Sequence, residues 1–293
     1  MRRFGWRQRI QELDPDIDFH EIYRISVHHE FPWDMNQALS FALYRTFAVP
    51  SIGELLSATG EFTERVQKRY DDTGLILDAV LEHGLRSEHG RKAVRRINQM
   101  HRSYPISNDD LLYVLSVFVI VPIRWMSDYG WRDFCEEERI ASANYYRELG
   151  RLMNIKGIPG SYQDFAMMMD DYERTHFGFS PGGRRVSDST LDLMVTFPPS
   201  SLLPSSLVRR LSMSLMDDSL LTSFHYPVPT PIERVLVRSA LRTRGRVVRF
   251  MPPRVEPRLS RQMPNFRTYP HGYDVEELGT CPIPRRPVGP AAP

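Results

Sequence analysis

The chain reads as an all-α protein, on three observations. Apolar residues recur at helical spacing through most of its 293 residues. Capping residues and Gly or Pro stops punctuate those segments. Strand alternation is nowhere sustained, and no Asn-Gly or Asp-Gly pair marks a hairpin. Composition agrees with a globular chain: 41% hydrophobic and 25% charged residues. A formal charge of +2 is too small to mark the whole chain as a nucleic-acid binder. Cys135 and Cys281 make neither a disulfide framework nor a C-x-x-C metal pair.

Taken in order, Asp34 after Pro32-Trp33 is placed to cap a helix through Leu39, Phe41, Leu43 and Tyr44. Ser51-Ile-Gly-Glu54 has capping-box spacing, so a second helix starts after Pro50. A segment from Thr63 carries Arg65, Lys68 and Asp72 into Leu75, Ile76, Leu77, Val80 and Leu81, and His83-Gly84 ends it. The next helix spans about Glu88 to Arg102 and stops before Pro105. Ser107 caps the greasiest segment, Leu111 to Ile123, where Pro122 should kink the helix or mark its last turn. These thirteen apolar-run residues fall short of the roughly twenty that cross a bilayer.

A polar helix follows from about Phe134 to Met153, and Ser161 starts another that runs to His176. Gly178 to Ser187 reads as loop, and helical pieces cover 189–196, 200–216 and 231–243. After Met251 the chain turns rich in Pro and Arg. YPHGYDVEELG is aromatic enough to dock on the body, and residues 281–293 read as a disordered tail behind one domain of 1–280.

His101 shares a helical stripe with Val94, Ile97 and Tyr104, just before the greasy segment. Such an imidazole is either a hydrogen-bonded core histidine or a haem ligand offering Nε2 to iron. Arg65 and Lys68, three apart, share a face with Asp72. They form either a solvated, salt-bridged face or two cations near a haem propionate or the distal side of the iron. Glu173-Arg-Thr-His176 is one E-x-x-H pair, and a di-iron bundle needs two. Gly178-Phe-Ser180-Pro-Gly182 fits G-x-S-x-G, but Pro181 has no N–H to donate to an oxyanion, which excludes a nucleophile elbow. Residues 231–261 hold nine arginines against two acids. The helix there should pack through Val235, Leu236, Val237 and Leu241, with anionic membrane contact as its second role. No C-x-x-C-H, Walker A or G-x-G-x-x-G occurs, so any haem is held without covalent attachment and nucleotide chemistry has no support.

The order RVQKRYDDT (Arg65 to Thr73), RRINQMHRSYPISNDDLLYVLSVFVIVPIRW (Arg95 to Trp125), WRDFCEEER and YPHGY resembles one family. It unites the bacterial rubber oxygenases, or latex clearing proteins, with the fungal ER-bound oxygenase of mycophenolic acid synthesis. The resemblance covers roughly residues 15 to 280. It implies a globin-like helical core holding haem b and an enzyme that cleaves an isoprenoid double bond with dioxygen. On that resemblance His101 stands as the proximal iron ligand. Arg65 and Lys68 stand as the Arg-x-x-Lys element that serves catalysis and cofactor on the distal side. Arg69 replaces a threonine there, and Glu54 and Glu61 are candidates for the base. The partners implied are an apolar substrate and dioxygen, with no nucleic acid. The N-terminal residues show no signal peptide or anchor, so the expected location is cytoplasmic with peripheral membrane contact. A non-catalytic haem- or lipid-binding helical protein is the alternative, and a basic interaction module is the third reading.

Overall fold

A computed structural model of the chain describes residues 2–198 and 200–280. Among these residues every regular element is helical. The N-terminal part holds α1 (Gly5–Gln11), α2 (Phe19–Ile25), a π-helical turn (Ser26–Glu30), α3 (Pro32–Thr46), α4 (Pro50–Ala58) and α5 (Glu61–Glu64). Then come α6 (Val66–His83), α7 (Glu88–His101), α8 (Asn108–Tyr129), α9 (Glu136–Leu152) and α10 (Tyr162–His176). The set closes with α11 (Pro181–Val195), α12 (Ser205–Met213), α13 (Asp218–Ser223) and α14 (Pro231–Arg249). Residues 281–293, expected to form a disordered tail, lie outside the described residues.

The local causes are visible at the helix ends. Ser87, Ser107, Ser161, Asp217 and Thr230 each accept a backbone N–H from the first turn of the helix they cap, an interaction worth about 1 kcal/mol. Gly84 ends α6 with φ of 89°, a conformation that only glycine adopts freely. Helix α8 runs through Pro122 to Tyr129, beyond the apolar run. It packs on α3, α9, α10 and α14, and that packing outweighs the roughly 3 kcal/mol a helix-interior proline costs.

Several local expectations are corrected. Asp34 does not cap α3, which starts at Pro32. It is buried in the first turn, accepts from Arg244 at 2.6 Å and lies 3.4 Å from the Trp125 indole nitrogen. Helix α4 begins at Pro50 without a capping box: Ser51 donates to Asp110 (2.9 Å) and Glu54 accepts from the Gly182 N–H (2.8 Å). The expected loop at 178–187 instead starts α11, with Ser180 as its N-cap. Residues 200–216 are broken into a 3-10 turn and α12, and α1, α2 and α13 had no clear signal.

The main core runs from Tyr23 to Leu278 around α8, and a smaller one joins the end of α3 to α11 and α13 through Tyr44, Phe47, Leu191 and Phe224. Two buried ion networks lock these layers. Arg45 reaches Glu173 and Asp217, and Glu173 also accepts from the Tyr113 hydroxyl at 3.0 Å. Arg132 bridges Glu30 (2.7 Å) and Glu138 (2.6 Å). The E-x-x-H glutamate is therefore a structural partner of Arg45, while His176 stacks on Tyr172. The segment after Met251 is irregular but pinned to α6. Asp78 accepts from the Ser260 N–H (2.8 Å), and Asp71 accepts from the N–H groups of Arg267 (3.0 Å) and Thr268 (2.8 Å). The Phe266 ring lies 2.5 Å from where a Cβ on Gly74 would stand, so only glycine admits it.

Candidate functional site

Between α3, α4, α6, α7 and α8 lies a cavity of about 430 Å³, within the range of roughly 300–1,000 Å³ usual for ligand pockets. Helix periodicity decides which side chains reach it. On α8 the wall is Leu111, Val114, Leu115, Phe118 and Trp125, spaced to share one face. Leu112 and Val119, from the same apolar run, are buried elsewhere in the core, with Leu112 turned toward Gly157. On α6 the stripe Val66, Arg69, Tyr70, Thr73, Gly74 and Leu77 faces inward.

His101, the last residue of α7, stands on this wall. Its Nδ1 is buried and has no hydrogen-bond partner among the described residues. Burial, reinforced by the nearby Arg69 charge, lowers its pKa to about 4. The ring is therefore neutral at pH 7 and keeps a nitrogen lone pair. Among the described residues no carbonyl or carboxylate accepts from Nδ1, the partner that orients many ligating histidines.

Arg65 and Lys68 are not on the cavity wall. The Arg65 side chain is 53% exposed and ion-paired with Glu61, and Lys68 donates to Asp72 at 2.6 Å with the Tyr269 ring alongside. The inward cation of this element is Arg69. Counting three and four residues on from Val66 reaches Arg69 and Tyr70, so that signal was present in the sequence. Of the two base candidates, Glu61 lines the cavity and Glu54 does not. Sequence reasoning gave no sign of the polar wall made by His28, hydrogen-bonded to Asp78 at 2.8 Å, or by Asp110, which accepts from Ser51 and Tyr172. Those pairs join segments 50 to 62 residues apart.

The catalytic-domain family described as ER-bound oxygenase mpaB/B'/rubber oxygenase matches residues 26–250. The chain belongs to this family. A relative named ER-bound oxygenase mpaB', from Penicillium brevicompactum, is 29% identical over 268 residues, covering 85% of this chain and 63% of the relative. The ER-bound oxygenase mpaB of Penicillium roqueforti is 32% identical over 158 residues, 52% of this chain and 53% of that one. The chain thus spans about 63% or less of the length of these relatives. The fold is that of a solved latex clearing protein in the closed state, with a TM-score of 0.65, 12% identity and coverage of 82% of this chain and 69% of that one.

The family members correct one expectation. A cytoplasmic location followed from the short apolar run and from the N-terminal residues, but the relatives are named ER-bound, which points to membrane association. The apolar run was also read too short: α8 has 22 residues and is long and apolar enough to cross a membrane. Its most apolar stretch is 72% buried within the protein, as a core helix would be.

Proposed function

We propose that this domain holds haem b through His101 and uses dioxygen to cleave a carbon–carbon double bond in an apolar, prenyl- or terpenoid-like substrate. The observation that carries this reading is the His101 imidazole, neutral and without a hydrogen-bond partner, on the wall of a largely apolar cavity. The unpartnered atom is Nδ1, so ligation through Nδ1 would recover the roughly 1–3 kcal/mol that an unsatisfied buried polar group costs, and ligation through Nε2 would leave it in place. Among the described residues no three His, Cys, Asp or Glu side chains converge to hold a bare cation. Iron carried in a macrocycle needs only an axial imidazole, so the residues fit that group.

Bound haem would supply the oxygen chemistry, and the chain's residues supply the surroundings. Leu111, Val114, Leu115 and Phe118 keep water from an alkene. Of the two base candidates, Glu61 is the one on the wall, and it would take a proton from substrate. Arg65 and Lys68 enter as positioning residues: Arg65 holds Glu61, and Lys68 holds Asp72, which accepts from the Tyr269 hydroxyl. Membrane contact is assigned to α14. Its outward stripe of Ile232, Val235, Leu236, Val247 and Phe250 is exposed, up to 87% at Phe250, beside exposed Arg242, Arg246 and Arg249. Val235 and Leu236 therefore do not pack on the body as expected, whereas Leu241 does.

Absorption spectroscopy of the purified protein tests the reading. A Soret band that His101→Ala abolishes, with oxygen consumption on a prenylated substrate, is the expected result. A colourless protein that cannot take up haem overturns it, and haem binding without oxygen consumption would leave a carrier.

A further inference from the structure

The three cations of Arg65-x-x-Lys68-Arg69 are unequally matched with acids. Arg65 has Glu61 and Lys68 has Asp72. Arg69 has no carboxylate within ion-pair distance among the described residues. Its Nη1 donates to the Thr73 hydroxyl, and its guanidinium lies 5.3 Å from the centre of the Phe62 ring. Yet Arg69 is the deepest of the three, set in the cavity wall, and among the described residues its side chain donates to Thr73 alone. Desolvation pulls its pKa down, and the charges of Asp72 and Glu61 offset that only in part. A guanidinium stays protonated under such conditions. The fold therefore holds a permanent positive charge, with donors in fork geometry, in the wall of a largely apolar cavity whose carboxylates, among them Glu61 and Asp72, are paired with other residues.

We infer that the cavity binds a ligand bearing a carboxylate and that Arg69 is the residue that receives it. This rests on the reading of the cavity as the cofactor and substrate site. An Arg fork matches a carboxylate in two parallel hydrogen bonds, and these are strongest where water is excluded. Two sources share that chemistry: a propionate of the haem, or an acid group ending an apolar substrate chain. Arg69 and His101 line the same cavity, and the Arg69 charge acts on the His101 ring, so the anion would sit on the side of the proposed axial ligand in either case.

Two binding measurements separate the sources. In the first, haem-free protein is titrated with oleate and with oleyl alcohol, for wild type, Arg69→Met and Arg69→Lys. A substrate carboxylate predicts that Arg69→Met weakens oleate about tenfold, or 1.4 kcal/mol, leaves the alcohol unchanged, and that Arg69→Lys recovers part of the loss. In the second, the same proteins take up haem b or its dimethyl ester. A propionate predicts that Arg69→Met weakens haem b and not the diester. Either pattern supports the anion site and names its source. Unchanged affinity in both arms, with Arg69→Met folded by circular dichroism, overturns it. Should Arg69→Met not fold, Arg69→Gln takes its place. The oleate arm needs no haem, so a protein that never takes up haem refutes the cofactor reading while this arm still decides the anion site.

Discussion

Replacing Glu173 by Gln tests whether the E-x-x-H glutamate is a keystone of the fold. Glu173 accepts from Arg45 Nε at 2.8 Å, from Arg45 Nη2, and from the Tyr113 hydroxyl at 3.0 Å. The Arg45 and Glu173 side chains are only 9% and 10% exposed. Burial alone would pull the Arg45 pKa down, but the hydrogen bonds and charge of Glu173 hold it well above the ordinary arginine value. Removing one partner of a buried pair costs about 3–5 kcal/mol. Asp217 still touches Arg45 from a side chain 45% exposed, so the lower end applies, about 3 kcal/mol. At roughly 2–4 °C per kcal/mol for a domain of this size, Tm should fall by about 6–12 °C. Calorimetry of the haem-free protein measures it, and a cycle with Arg45→Met isolates the coupling. A loss under about 0.5 kcal/mol, or a coupling near zero, refutes the assignment.

Acid should destabilise the haem-free protein. His20, His29 and His101 all have pKa values lowered below 6.5, chiefly by burial, His101 to about 4. The unfolded chain binds those protons more readily, so stability is full above pH 6.5 and drains as pH falls toward 4. The urea midpoint should be lower at pH 5 than at pH 7.5, and equal or higher midpoints contradict the burial argument. On α14, Leu236→Asp with Phe250→Asp should abolish co-sedimentation with phosphatidylserine-containing vesicles at low salt without changing Tm. Undiminished binding would clear this helix of the role.

Where a residue's partner lies within one helical turn, the sequence was readable. Ser107 and Ser161 cap the helices they precede, and Gly84 stops α6. The same hydroxyl chemistry misled at Ser51, which lies inside the first turn of α4 rather than ahead of it and donates to Asp110, 59 residues away. His101 was legible as an apolar-face imidazole and does reach the cavity. Periodicity groups Arg69 with Val66 and Tyr70 on one stripe of α6, but it does not say which stripe faces the cavity. That depends on where α3 and α8 stand, through contacts no local pattern encodes. The short N-terminal helices lacked side-chain caps altogether, which left them no signal to read.

The pinning of residues 260–269 onto α6 also sets a schedule. The acceptors Asp78 and Asp71 are made long before their donors at Ser260 and Arg267, 182 and 196 residues later. At roughly 5–20 residues per second, about ten to forty seconds of synthesis separate the two. During that interval Met263 and Phe266 are absent from the wall they later complete. The side of the cavity that these two residues line is therefore among the last parts of its wall to be synthesised.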